Sequence, residues 1–528
     1  MKNKLYKLTA VVLVICLLAG CGSFKRLPSA PRLTFADLVY TRPDMQAIEQ
    51  LRSEAVETAQ EGKRLAAMVS LVQEFYAAYD AFYTNYYLAS IYYDCDMTDE
   101  SWQAEYEFCT NASLQVDTML DEIYRAMAKS DLRQSLEAPA FFGEDFFVGY
   151  EGESPYDEGY MALAERENQL ENSYYELYAQ TNEGNYTQEE FYETYGQSFA
   201  QLYADLIAVR QEMAAYFGYE SYAQLAYDMY YYREYSPEET AAYMQEIAAE
   251  LGQLYRNTYD RAEWNWGAAA SVEAAALGYV RKAAQAMGGN IQLAFTQMEE
   301  GKFYHISPGS NKYDGAYEVF FSAYGQPFIF AQTYRANVDK LTVVHEFGHY
   351  VHDYVCQGTY ASLDVREVMS QAMEYLSTLY GEDGAAERYK LLDGLAVLVE
   401  NACYTLFELR AYELKGEELN PERLAELYEQ TCLEFGLTWD VPLGFTDIEH
   451  YFAYPMYVSS YVYSADVAFQ IYQQEKVQTG AGLDIYNLCL TSHDTYLVEF
   501  ALTYGLDSPL APGRAAAIRK SLEAVLGE

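Results

Sequence analysis

Leu341-Thr342-Val343-Val344-His345-Glu346-Phe347-Gly348-His349 is the stretch on which the reading of this chain turns. It is an H-E-x-x-H run on a helical segment, and at four-residue spacing its two imidazoles lie on one face, about 6 Å apart along the axis. Both ring nitrogens can therefore converge on one zinc ion at about 2.0 to 2.1 Å, with Glu346 flanking the position that a catalytic metal keeps open. The chain holds six histidines in all, so two of them bracketing a glutamate in this register is not a composition effect.

A catalytic zinc needs a third protein ligand and one position left for water. His352 shares the histidine face but stands seven residues beyond His345, a rise of about 10.5 Å, so those two cannot hold the same metal. It reads as a packing histidine or one that orients a ligand. Glu367 and Glu374 lie on Glu367-Val368-Met369-Ser370-Gln371-Ala372-Met373-Glu374-Tyr375, where positions 367, 370, 371 and 374 share one helical face. One of the two glutamates is expected to ligate and the other to orient a ligand; spacing alone leaves open which.

Around this helix the chain reads as mainly α. Leu65, Met68, Val69, Val72, Phe75 and Tyr76 follow helical apolar spacing. Thr187 with Glu190, and Ser236 ahead of Glu239, place a hydroxyl cap three residues before a glutamate, and Asn420-Pro421 offers a cap with proline at the first helical position. Phe303 to Ser307 and Pro327 to Thr333 are β-like, with Gly309, Gly315 and Gly325 between them, so a small sheet is expected just ahead of the zinc helix. Tyrosine tracts such as Tyr230-Tyr231-Tyr232 read as helix surface and packing.

The N-terminus reads as an address. Lys2, Lys4 and Lys7 precede an apolar run from Leu8 to Gly20, too short to span a bilayer, which Leu18-Ala19-Gly20-Cys21 closes. This resembles a bacterial lipoprotein signal, which implies removal of residues 1–20, lipidation of Cys21, and a protein lipid-anchored on the outer face of a bacterial membrane. Residues 21–43, with Pro28, Pro31 and Pro43, read as a tether. An N-terminal helical lobe is expected over 44–215 and a catalytic domain over 216–528. The cysteines lack C-x-x-C spacing, and Cys95 with Cys109 is the candidate disulfide.

Composition sets the outer bounds. The 528 residues are 51% hydrophobic and 16% aromatic, enough for a large core and too apolar for disorder over most of the chain. Against 79 Asp and Glu stand 34 Lys and Arg, a net charge of −45 that repels nucleic acid and anionic lipid surfaces. No nucleic-acid partner is expected, and membrane attachment only through the lipid anchor.

The residues quoted above resemble a known family, the zinc metallopeptidases of the oligoendopeptidase F and thimet oligopeptidase group. The run 345–349 followed by Glu367-x-x-Ser370-x-x-Met373-Glu374-Tyr375 is similar to its metal signature. That resemblance implies Glu367 as the third ligand and Glu374 as its supporting neighbour. Lys312-Tyr313-Asp314-Gly315-Ala316-Tyr317, then Phe328-Ile329-Phe330, then Asn337-Val338 resemble the family's order of Gly-Ala-Tyr turn, edge strand and metal helix. The likeness covers roughly residues 215 to 510. Glu449-His450-Tyr451-Phe452-Ala453-Tyr454-Pro455-Met456-Tyr457-Val458-Ser459-Ser460-Tyr461 is similar to the family's substrate segment. It implies that His450, Tyr457 and Tyr461 hold substrate and stabilise the tetrahedral intermediate, with Tyr454 a rival to Tyr457. Two features depart from the pattern: the interval from His349 to Glu367 is shorter than in thimet-type members, and Met369 stands where oligoendopeptidases commonly have histidine.

The resemblance further implies a mainly helical, two-lobed body around a deep central channel, with one zinc ion per chain, short peptides as substrates, and a monomeric state. Glu346 is expected as general base, and the peptide backbone is expected to add alongside Phe328, Ile329, Phe330 and Ala331 as an edge strand. The alternatives are a zinc carboxypeptidase or other exopeptidase of related helical fold, and a surface lipoprotein that binds peptide or metal without turnover.

Overall fold

Helices begin where the sequence places their caps. In the computed structural model, which describes residues 33–181, 187–258, 272–333, 336–358, 361–381, 384–437, 442–490 and 496–526, Ser236 and Glu239 close a reciprocal capping box. Thr187 and Glu190 do the same, and Asn420 accepts from Arg423 N with Pro421 at the first position. Each cap satisfies backbone N–H groups that the first helical turn leaves without intrahelical partners.

In chain order the principal helices are α1 (Met45–Glu61), α2 (Leu65–Cys95), α3 (Glu100–Ala128), α4 (Glu158–Thr181), α5 (Gln197–Tyr216), α6 (Tyr222–Met229) and α7 (Pro237–Thr258). Then α8 (Val272–Met287) and α9 (Gly289–Gly301) lead to β1 (Tyr304–Ser307), β2 (Ala316–Phe321), β3 (Gln326–Gln332) and α10 (Ala336–Cys356). After them come α11 (Leu363–Tyr380), α12 (Gly384–Ala411), α13 (Pro421–Phe435) and α14 (Ser459–Val477).

These elements form two compact units, one within Met1–Tyr156 and Gly267–Tyr360, the other within Asp157–Trp266 and Ala361–Glu528. Neither matches the 44–215 and 216–528 division expected from sequence. The reason lies in β2 and the loops beside it, which are hydrogen-bonded to α2 and its C-terminal end. Tyr317 donates to Asp94 Oδ2 at 2.5 Å, Tyr313 N to Asp94 O at 2.9 Å, and Met97 N to Asn311 O at 2.7 Å.

In the first unit, α1, α2 and α3 pack around Met68, Val72, Phe75 and Tyr76, from the α2 stripe that apolar spacing predicted, together with Val116, Leu120 and Tyr124 of α3. The chain is packed well before Asp44. Phe35 lies in a 3-10 turn with its ring centroid 4.4 Å from that of Phe328, and Leu38 is buried. The Tyr40 hydroxyl donates to Glu105 at 2.5 Å. Apolar anchors thus make 34–43 part of the folded body, so the tether expected to reach 43 ends earlier. The signal segment 1–20 and Cys21 lie outside the described residues. Cys95 and Cys109 are both free thiols, so the disulfide expected between them is not formed. No helix among the described residues is long and apolar enough to cross a membrane.

The sheet has the order β1-β3-β2, with β1 parallel and β2 antiparallel to β3. This corrects the edge-strand expectation. β3 is central, paired on both sides, and Phe328, Ile329, Phe330 and Ala331 are wholly buried. A peptide cannot add to a strand whose backbone groups are already spent on two neighbours, so these four residues form core rather than a substrate surface. The apolar faces of β3 pack under α10, and Phe347 of that helix meets Phe295 of α9 with ring centroids 5.9 Å apart.

In the second unit α11 packs along α14, and α12 packs against α7, α13 and α14. Tyr230-Tyr231-Tyr232 is not on a helix, contrary to the sequence reading: it forms the turn between α6 and α7, with Tyr232 at a φ of 51°.

Candidate active site

On α10, His345 is half-buried, while Glu346 and His349 are buried. The two imidazole centroids are 5.0 Å apart with planes at 78°, as four-residue helical spacing dictates. Val343, Val344 and Phe347 turn into the core and fix the helix beneath them. His352 is buried and its Nδ1 lies 2.9 Å from Asp353 Oδ1. Burial opposes its charge, but hydrogen bonds with Asp353 and Cys356 outweigh it and raise the imidazole to about 9.

α11 begins at the Ser362 cap, whose side chain accepts from Val365 N, and presents Glu367, Ser370, Gln371 and Glu374, all buried. The structure separates the two glutamates that spacing could not. Glu367 accepts the Tyr457 hydroxyl on Oε1 at 2.5 Å and Ser370 Oγ on Oε2 at 3.0 Å. Glu374 lies about two turns further along α11, where Lys390 Nζ of α12 meets it at 2.8 Å and Asp393 at 2.9 Å. Lys390 is buried as well, and the two carboxylates outweigh that burial and hold its ammonium charged. Met369 is buried too and offers no polar atom to the site.

The segment 450–461 lies alongside. His450 sits on the five-residue helix Glu449–Ala453, its Nε2 3.1 Å from the Tyr461 hydroxyl and its ring 5.2 Å from that of Tyr457. Burial lowers the His450 imidazole to about 4 despite the nearby Glu367 charge, so the ring is neutral near pH 7 and can donate from one nitrogen only. Burial, then the Glu367 charge, push the Tyr457 phenol well upward, so it stays a donor. Tyr454, the rival to Tyr457, is 52% exposed. Gln371 Nε2 donates to Tyr461 O at 3.1 Å and to Ser464 Oγ at 2.8 Å, locking α11 to the start of α14.

Among the described residues, one group of His, Cys, Asp or Glu has the geometry to hold a metal ion: His345, His349 and Glu367, whose ligand atoms lie within 4.8 Å of one another. Two imidazoles and a carboxylate are a donor set that zinc accepts, and three protein ligands leave a fourth position open. His352 and Glu374 are outside the group. Sequence reasoning missed the residues that hold the 450–461 segment from behind. Arg210, wholly buried, donates to the carbonyls of Tyr451 and Phe452, and Glu408 accepts Met456 N at 2.8 Å. No sequence motif marks them, because their partners are backbone groups some 50 to 240 residues away.

Comparison with known proteins bears on the same architecture. Residues 35–153 match the family model of the peptidase M3 N-terminal domain. A structure described as an oligoendopeptidase F superposes with a TM-score of 0.79 at 19% identity, covering 94% of this chain and 99% of the other. The chain has the oligoendopeptidase F fold. PZ peptidase A, solved with an inhibitor, gives 0.80 at 18% identity over 93% and 99% of the two chains. A Bacillus anthracis structure described as an oligoendopeptidase F gives 0.77 at 18%, over 94% and 98%. No curated protein matches the chain by sequence. The family model falls on the N-terminal helices, where the sequence alone offered position and helicity but no motif. What this chain shares with these proteins is thus an N-terminal segment that matches a peptidase family model, and the oligoendopeptidase F fold.

Proposed function

We propose that this protein is a zinc-dependent endopeptidase of short peptides. The observation that carries the reading is the convergence of His345, His349 and Glu367, with Glu346 beside the two histidines on α10. Bound there, zinc would lower the pKa of a coordinated water toward about 7 and polarise the scissile carbonyl. Glu346 takes the proton of the attacking water and passes it to the leaving amine nitrogen. Tyr457 and His450 donate to the oxygen of the scissile carbonyl as negative charge develops on it, and Tyr461 fixes the orientation of His450 through their hydrogen bond. Glu367 takes part through both oxygens: Ser370 holds Oε2, and the Tyr457 hydroxyl lies on Oε1 until substrate draws it away. Glu374 acts at a distance, its charge balanced by Lys390.

The test is cleavage of an internally quenched peptide of about ten residues blocked at both termini, compared with its unblocked counterpart. An endopeptidase cleaves both. Cleavage of the unblocked peptide alone would make the protein an exopeptidase, and cleavage of neither would leave a binding protein.

The N-terminal pattern supports a further part of the reading: export, removal of residues 1–20 and lipid attachment at Cys21, with the body on the outer face of a bacterial membrane. Mass spectrometry of the mature N-terminus tests it; a first residue other than a lipid-bearing Cys21 would contradict it.

A further inference from the structure

Arg233 lies in the turn between α6 and α7, with its side chain fully buried. Its guanidinium is stacked between two rings of the tyrosine-rich segment, 4.4 Å from the Tyr227 centroid and 4.5 Å from that of Tyr231. The two ends of the fork are divided between the two elements that carry the site. Nη1 donates to Met456 O at 2.9 Å. Nη2 donates to Ser460 Oγ at 2.8 Å and lies 3.4 Å from Asp364 Oδ1. Ser460 donates to the same Asp364 oxygen, and the Tyr235 hydroxyl donates to the other at 2.5 Å.

These partners stand at telling positions. Asp364 is in the first turn of α11, three residues before Glu367. Met456 immediately precedes Tyr457, and Ser460 follows it by three. Met456 adopts a φ of 67°, a left-handed conformation that a side chain with a Cβ resists, so its carbonyl must be held from outside. Arg233 holds that carbonyl, Glu408 the Met456 N–H at 2.8 Å, and the Tyr231 hydroxyl the carbonyl of Pro455 at 2.7 Å. A closed circuit results: Glu367 to Tyr457 by their direct hydrogen bond, and back from Met456 and Ser460 through Arg233 to Asp364 on the helix of Glu367.

We propose that Arg233 is a positioning residue for the hydrolytic step: with Asp364 and Ser460, it fixes the placement of the Tyr457 hydroxyl relative to Glu367. The inference rests on the endopeptidase reading given above. A guanidinium is required because its planar fork reaches two separated acceptors at once, whereas an ammonium is a single point of charge. Arg233 touches neither Glu367 nor Tyr457, so its contribution to turnover passes through Tyr457.

The experiment is a double-mutant cycle on the full chain, measuring kcat, KM and zinc content with a doubly blocked, internally quenched peptide. Arg233→Lys is expected to lower kcat by about tenfold to a hundredfold, the usual range for residues that orient a metal site. KM should stay within about twofold and zinc content should not change. In a Tyr457→Phe background the same substitution is expected to cost less than about twofold, because the hydroxyl it positions is gone. Ser460→Ala, a smaller change to the same circuit, is expected to show a lesser loss that also vanishes with Tyr457→Phe, and it decides the matter if Arg233→Lys does not fold. Equal losses in both backgrounds, or an unchanged kcat, would overturn the inference while leaving the endopeptidase reading intact. A wild-type protein that does not cleave the peptide would overturn that reading and this inference together.

Discussion

The Tyr457 hydroxyl donates to Glu367 Oε1 at 2.5 Å while Ser370 Oγ occupies Oε2. A phenol parked on the carboxylate of a metal-ligand candidate is a donor held ready, since substrate oxygen can take its place with little reorganisation. Tyr457→Phe removes the O–H and keeps the ring. The expected result is a loss of about a hundredfold to a thousandfold in kcat, with KM and zinc content little changed. Steady-state kinetics with a zinc assay check it, and a variant with unaltered kcat would remove Tyr457 from the mechanism.

Glu346 lies between the two histidines in sequence and is buried. Glu346→Gln keeps the shape and deletes the base, so turnover should fall by about a hundredfold to ten-thousandfold with one zinc still bound per chain. Single-turnover hydrolysis with metal analysis is the measurement. Retained hydrolysis would mean that another group takes the proton.

How much of this site the sequence displayed follows from which contacts are local. His345 and His349 are four apart on one helix, so their convergence is a property of the helix itself and legible from spacing. The caps at Ser236 and Asn420 are local for the same reason. Glu367 and Glu374 share one face of one helix, and only packing from elsewhere distinguishes them: Tyr457 and Ser370 around one, Lys390 against the other. The place of β3 in the sheet was equally non-local. Its unbroken apolar run from Pro327 to Ala331 is the mark of a strand buried on both faces, whereas β2, Ala316 to Phe321, lacks the apolar–polar alternation that would have announced the partner that makes β3 central. Arg233 announced itself by nothing, because its partners are a carbonyl, a hydroxyl and a carboxylate more than 130 residues away.

Lys390 and Glu374 form a buried pair, and removing one partner leaves the other charge without compensation. Lys390→Met is expected to destabilise the protein by about 3 to 5 kcal/mol. Adding Glu374→Gln should recover a large part of that loss, because the uncompensated carboxylate is then gone. Urea titrations of the two variants decide it; a single variant as stable as wild type would show that the pair carries little.

His352 gives a pH dependence with a definite sign. Its folded value is raised to about 9 from an ordinary 6.5 by Asp353 and Cys356, which prevail over burial. A raised value means that the folded state binds the proton more tightly, so the stabilisation is fully present below about pH 6.5 and fades as pH climbs through 9. The magnitude is on the order of 3 kcal/mol. Urea midpoints at pH 6 and pH 10, compared with His352→Gln, measure it. The wild type should lose more stability than the variant over this interval, and equal losses would place the titration elsewhere.

The most direct test of the account is zinc-dependent cleavage itself. The full chain is stripped with a chelator, its activity on a doubly blocked peptide is recorded, and zinc is returned one equivalent at a time. The account predicts no cleavage by the stripped protein and full recovery at one zinc per chain, with His349→Ala recovering nothing. Cleavage that survives chelation, or that returns equally in His349→Ala, would contradict it.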